Sequence, residues 1–260
     1  MQNTIYEFWL MILQNIQKVD GKGIQKIAML TDFIESNRQK CAIYFPSEAD
    51  DLVMFTNTSS TIDEGIVRES LEKIFDPGKD EETDEASSNS QIAFNFFVVK
   101  NAGLKQKDGY SIRKLRLFYG SSRMDKFERY DVYHYWFPDW PDHRSPQDID
   151  VLLDMSLDLL DGNCLKDFPH AMMASEDDAK KAKNPLPVLH CSAGIGRTGC
   201  LAAILNGLGQ IRANSEEISV DVLGIVCNLR LQRGGMVQNS EQYELIHRSL
   251  CLYQQKISRK

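Results

Sequence analysis

The sequence predicts an α/β fold: a twisted, mixed β-sheet flanked by helices. Three observations carry that expectation. Short apolar runs suited to strands crowd the chain before residue 138, helical periodicities dominate after residue 145, and one strand near residue 188 passes through a small-residue loop directly into a helix. Composition agrees, with 42% hydrophobic and 26% charged residues in 260 positions, which excludes a collagen, a coiled coil or a wholly disordered chain.

Thr4 and Glu7 have capping-box spacing, and Ile5, Phe8, Trp9 and Ile12 share one side of the helix that follows. Strand candidates are KIAML at 26–30, KCAIYF at 40–45, LVMF at 52–55, FNFFVV at 94–99, the alternating SIRKLRLF at 111–118, DVYHYWF at 131–137 and a short buried LPVLH at 186–190. Ser145 and Pro146 read as N-cap and first residue of a helix whose Ile149, Leu152, Leu153, Leu157 and Leu160 lie on one face. Further helices are expected over about 197–213, 219–232 and 240–254. The stretches 76–90 and about 164–185 carry charge and Ser without an apolar stripe, and read as solvated surface insertions in one domain spanning 1–260.

Net charge is −7, so a broad surface for nucleic acid is not expected. No apolar run approaches the roughly 20 residues that span a bilayer. The amino end lacks a basic leader and carries Glu7, so it is not read as a signal peptide, and no membrane insertion is expected. Cys41, Cys164, Cys191, Cys200, Cys227 and Cys251 are scattered, with no C-x-x-C pair and no His cluster at metal spacing. That pattern suits reduced thiols in the cytoplasm and no metal or other cofactor.

The sharpest feature is VLHCSAGIGRTG at 188–199. Small residues after the strand let the backbone of Ser192, Ala193, Gly194, Ile195 and Gly196 curl into an anion nest at a helix N-terminus. Such a nest and the helix dipole favour the thiolate form of a cysteine at their centre, and Cys191 sits there. Arg197 can return across the loop as a planar fork, and Thr198 can give its hydroxyl to the thiolate or cap the helix. Amides and guanidinium for three oxygens, with a thiolate in line with phosphorus, suit a phosphoryl dianion. A buried structural cysteine and a nucleotide-binding loop are the competing readings. No Gly-Lys-Ser/Thr follows and G-x-G-x-x-G is absent, while His190, Gly194, Gly196 and the Thr198-Gly199 pair surround the motif, so a nucleophilic cysteine is favoured.

HCSAGIGRTG resembles the signature loop of the protein tyrosine phosphatases, in the phosphotyrosine-specific group. TIYEFWLMI (4–12) is similar to the family's T-x-x-D-F-W helix, IAMLTDFIESNRQKCAIYFP (27–46) to its M-L-T…E…K-C-x-x-Y-W-P segment, and GYSIRKLRL (109–117) to the strand before its acid loop. LRLQRGGMVQNSEQYELIH (229–247) is similar to its L-R-x-Q-R-x-G-M-V-Q-T-x-x-Q-Y block. The resemblance implies the family's fold and hydrolysis of phosphotyrosine in proteins or peptides through a cysteinyl-phosphate, or, as the alternative, a weak or inactive phosphotyrosine-binding module. In YHYWFPDWPDHRSP both Asp139 and Asp142 are candidate acids for protonating a tyrosine leaving group. The resemblance selects Asp142, behind Trp140-Pro141 and before Pro146. It also implies that Gln238 orients the attacking water with Gln242 helping, that Glu35 braces Arg197, and that Lys40 meets the acid loop. His190 is read as a hydrogen-bonding residue that tunes the thiolate, and Cys41 and Cys200 as core thiols. Reversible inactivation by peroxide is expected of such a nucleophile.

Three departures from the family pattern stand out. The sequence starts at the T-x-x-D-F-W helix, after the family's K-N-R-Y recognition loop and Q-G-P-L strand; that portion is supplied elsewhere, lost, or absent from an incomplete chain, and without it the expectation is weak affinity for phosphotyrosine. KFERYDV at 126–132 superficially matches that loop but reads as strand. Arg144-Ser145 replaces the usual Gly-Val, and Asn239 replaces the usual Thr.

Overall fold

The computed structural model describes residues 4–19, 24–57, 74, 94–121, 127–163, 168, 185–213 and 219–259. The expected insertions at 76–90 and 164–185 fall almost wholly outside these.

Helix α1 (Ile5–Gln17) opens the chain and is followed by β1 (Gln25–Met29). A short hairpin of β2 (Ile34–Glu35) and β3 (Arg38–Gln39) comes next, then β4 (Leu52–Thr56), β5 (Asn95–Gln106), β6 (Ser111–Ser121) and β7 (Glu128–Trp136). Helix α2 (Ile149–Asp161) precedes β8 (Val188–His190), and α3 (Gly196–Ala213), α4 (Val222–Gln232) and α5 (Ser240–Ser258) complete the described elements. Six strands form one mixed sheet in the order β4-β5-β6-β7-β1-β8. The pairs from β4 to β7 are antiparallel, whereas β1 runs parallel to both β7 and β8.

Alternation along β1 shows how the sheet is covered. Ile27 and Met29 pack with Trp9, Ile12, Leu13 and Ile16 of α1 on one face, while Ala28 and Leu30 pack with α2, α3, α4 and α5 on the other. Trp9 anchors the first face, fully buried with its indole N–H donating to the Tyr44 carbonyl at 3.0 Å. With both faces covered, β6 does not alternate between core and solvent, and even Arg113 and Lys114 are buried. Arg113 lies over the rings of Phe45 and Trp136, and Lys114 pairs with Asp131 at 3.0 Å.

Several local expectations are corrected. KCAIYF at 40–45 is not a strand; the regular structure is the β2–β3 hairpin just before it, turned by Ser36 and Asn37, both at positive φ as a two-residue hairpin turn requires. Lys40 N and Cys41 N then both donate to the Phe33 carbonyl, which folds the segment back instead of extending it. The Thr4 side chain makes no capping hydrogen bond. Helix α2 starts three residues later than Ser145-Pro146 implied, because the Asp148 carboxylate accepts from Val151 N and caps the first turn there. On α2, Leu159 is buried and Leu160 exposed, the reverse of the expected stripe. β8 is half-buried rather than buried. Residues 128–132 of KFERYDV lie in β7, as strand.

Candidate active site

Three parallel strands end side by side and deliver three loops to one edge. Met29 of β1 is level with Trp136 of β7 and His190 of β8. Leu30 N donates to the His190 carbonyl and Phe137 N to the Met29 carbonyl, each at 2.9 Å, so the loops leave together. The crevice beyond the carboxyl ends of parallel strands is where open α/β sheets bind ligands.

The loop after β8 wraps Cys191, which is buried. Gly194 N lies 3.3 Å from Sγ and Thr198 Oγ1 3.2 Å, two donors aimed at sulfur. Gly194 makes the bend at φ 71°, where glycine pays no steric penalty. The loop is braced by Arg233, whose Nη2 donates to the Ala193 carbonyl at 3.1 Å, and the Ile195 carbonyl accepts from Val237 N at 3.2 Å. His190 makes no hydrogen bond to the sulfur. Its Nε2 is 2.7 Å from the Tyr44 hydroxyl, which is 2.6 Å from His134 Nε2, and its Nδ1 faces the Cys191 carbonyl at 3.3 Å. Burial lowers the proton affinity of both imidazoles; for His134, entirely buried, the neighbouring His190 and Arg113 lower it further.

Arg197, in the first turn of α3, is 1% exposed. Its Nη1 donates to Glu35 Oε1 at 2.6 Å and to the Trp140 carbonyl at 2.7 Å, and Nη2 lies 3.3 Å from Glu35 Oε2 and 3.5 Å from Asp142 Oδ1. Nε has no hydrogen-bond partner among the described residues. Glu35 also accepts from Thr31 Oγ1 at 2.7 Å. Burial pushes its carboxyl up, but the hydrogen bonds from Arg197 and Thr31 outweigh that and hold it below the ordinary value.

Asp142 meets Lys40 Nζ at 2.7 Å. Burial again raises the carboxyl, and the Lys40 hydrogen bond with the Arg197 charge brings it net below its usual range. Trp140 anchors the loop, fully buried, with its indole N–H donating to the Arg144 carbonyl at 2.8 Å. The bend falls on His143, at φ 59°, and not on Arg144, where the family pattern would put glycine. Asp139 is exposed and makes no hydrogen bond or ion pair among the described residues. A groove of about 1060 Å³ separates the 35–40 hairpin from the 137–148 segment; Asp139 and Asp142 line it, Cys191 does not.

Gln238 and Gln242 stand across from this loop. Gln238 N donates to Gln242 Oε1 at 2.7 Å, and Gln242 is buried with Nε2 unpartnered among the described residues. A side chain at Gly196 would collide with Gln238 Oε1, so these glutamines sit against the start of α3. Glu35, Lys40, Trp140, Asp142, Thr198, Gln238 and Gln242 thus lie in or directly against one cluster around Cys191 and Arg197, with His190 on the Cys191 carbonyl behind it, while Asp139 stands exposed. Sequence reasoning missed Tyr44, His134, Arg230 and Arg233. Arg230 holds the Met236 and Val237 carbonyls at 2.9 and 2.7 Å just before Gln238. Both arginines lie in the quoted 229–247 block, yet only the fold shows which carbonyls they reach.

Residues 1–85 and 84–252 match the sequence profile of the protein-tyrosine phosphatase family. The chain is 35% identical to mouse (Mus musculus) receptor-type tyrosine-protein phosphatase R over 260 residues, covering 99% of this chain and 28% of that protein. It is 32% identical to human (Homo sapiens) tyrosine-protein phosphatase non-receptor type 7 over 254 residues, covering 97% of this chain and 50% of that protein. With human tyrosine-protein phosphatase non-receptor type 5 the identity is 27% over 256 residues, 98% of this chain and 32% of that protein. The chain therefore spans half or less of the length of these relatives. With a profile match over nearly all its residues and a signature loop built around Cys191, this chain belongs to the protein-tyrosine phosphatase family.

Proposed function

We propose that this chain hydrolyses phosphotyrosine in proteins or peptides through a cysteinyl-phosphate on Cys191. The observation that carries the proposal is the pairing of a sulfur that receives two loop donors with a buried guanidinium whose Nε is unpartnered. A phosphoryl oxygen supplies the acceptor that Nε lacks, and the 192–196 backbone and Arg197 Nη2 hold the others.

In the first half-reaction the Cys191 thiolate forms the S–P bond as the P–O bond to the tyrosine ring breaks, and Asp142 passes its proton to the departing phenolate oxygen. Asp142 is ion-paired in the free protein, so it must first gain that proton. An arriving dianion competes for Arg197 and places negative charge beside the carboxylate, and both effects favour protonation. In the second half-reaction Gln238, steadied by Gln242, orients a water molecule. Asp142, now a carboxylate, takes its proton as the oxygen attacks phosphorus, and the S–P bond breaks to release inorganic phosphate and restore the thiolate. Glu35 fixes the Arg197 fork, and Thr198 and Gly194 stabilise sulfur as nucleophile and leaving group. The site requires a reduced Cys191, consistent with a cytoplasmic, signalling role for this domain.

Turnover of an aryl phosphate by the chain, with Cys191→Ser as control, tests the proposal. Hydrolysis abolished by the substitution is expected. Phosphotyrosine binding without any turnover would instead assign a non-catalytic binding module.

A further inference from the structure

We infer that Asn239 and Glu241 are positioning residues that latch the acid loop onto the start of α5, keeping Asp142 and Gln238 in one fixed relation. The inference rests on the reaction proposed above. Two hydrogen bonds join segments 96 residues apart: Asn239 Nδ2 donates to the His143 carbonyl at 2.9 Å, and Glu241 Oε1 accepts from Ser145 N at 2.7 Å. They grip the backbone immediately beyond Asp142.

Asn239 uses both ends of its amide. Oδ1 accepts from Gln242 N at 2.9 Å and caps α5, while Gln242 Oε1 accepts from Gln238 N at 2.7 Å. A single side chain therefore ties the acid loop to the segment carrying Gln238. Each half-reaction needs Asp142 in place, and the second needs it in register with Gln238, so this link serves both.

The loop has reason to need holding. One flank borders the groove of about 1060 Å³, so little packing fixes it there. His143 sits at φ 59°, a conformation that residues other than glycine keep only when their surroundings impose it. The Asn239 bond to the His143 carbonyl is one such constraint. Residue chemistry also separates the latch from simple helix capping. Asp at 239 caps a helix as well as Asn but cannot donate to a carbonyl. Position 241 needs only an acceptor, so Gln serves there and Ala does not.

The test compares wild type with Asn239→Asp, Glu241→Ala and Glu241→Gln by amide hydrogen exchange over residues 142–147, thermal melting, and turnover of two aryl phosphates with good and poor leaving groups. Asn239→Asp and Glu241→Ala are expected to exchange faster at the Ser145 amide without a lower melting temperature. Turnover of the poor leaving group, which depends most on the acid, should fall roughly 3–10-fold with the good one less affected. Glu241→Gln should match wild type. Unchanged exchange overturns the latch, as does an equal loss for both substrates accompanied by a lower melting temperature. Wild type without turnover would overturn the phosphatase assignment instead, and the exchange contrast would still decide whether the latch exists.

Discussion

At the residue scale, Asp142 is poised by its neighbours. Lys40 and Arg197 hold its carboxyl below the ordinary range against the opposing effect of burial. Removing an opposite charge favours the protonated form, so Lys40→Gln should raise the proton affinity of Asp142. The alkaline limb of the kcat profile should then move to higher pH; a limb that stays put or moves lower would contradict the assignment of Asp142 as the acid. Asp142→Ala should slow a poor leaving group by about 10²–10⁴-fold, the range of a lost general acid. Asp139→Ala should leave turnover near wild type, and initial rates on a phosphotyrosine peptide separate the two. The loop that carries Cys191 and Arg197 was legible in the small residues around it, whereas Asp142 was separated from Asp139 only through resemblance. The Lys40–Asp142 contact was visible only through resemblance, since nothing local to either residue announces a partner 102 positions away.

At the element scale, α3 and the segment before Gln238 approach each other backbone to backbone. A Cβ on Gly199 would come within 2.6 Å of Val237 N and 3.3 Å of the Met236 backbone. Backbone cannot swing aside as a side chain can, so Gly199→Ala should cost about 1–3 kcal/mol by overpacking, measurable by urea unfolding. It should also displace Gln238 and slow breakdown of the cysteinyl-phosphate. Trp9→Ala, on the opposite face, should cost about 3–5 kcal/mol with no selective effect on either half-reaction. Helices α3, α4 and α5 could be read as long apolar segments because α3 is buried nearly all round, against β8 on one side, and α4 and α5 pack their apolar residues against α3. The β2–β3 hairpin could not: its strands have two residues each, too few for a period, and its turn residues Ser36 and Asn37 resemble any loop. The start of α2 was misplaced because Ser145-Pro146 and Asp148 are both credible caps, and only the bond from Val151 N to the Asp148 carboxylate shows which of them caps the helix.

At the scale of the whole molecule, the site exists because β1, β7 and β8 are parallel neighbours, so segments distant in sequence emerge at one edge. That topology also sets buried His134 of β7 and half-buried His190 of β8, on either side of β1, within hydrogen-bond reach of Tyr44. Both imidazoles bind a proton less readily folded than unfolded, where the value is about 6.5. Below that pH the unfolded chain holds more protons, and stability falls as pH falls toward the depressed folded values. The slope should approach about 1.4 kcal/mol per pH unit for His134, with His190 adding in the same direction, and His134→Gln should flatten it in unfolding series between about pH 7.5 and about pH 5.5. Glu35 and Asp142 add their own losses only at lower pH, below their ordinary values of 4.5 and 3.8. The central claim is chemical, and its most direct test is to acid-quench the chain during turnover of a phosphotyrosine peptide and map the phosphoryl group by mass spectrometry. A phosphoryl adduct on the peptide bearing Cys191, accumulating in Gln238→Ala and absent from Cys191→Ser, is the expected result. Hydrolysis that persists in Cys191→Ser, or an adduct on any other residue, would contradict it.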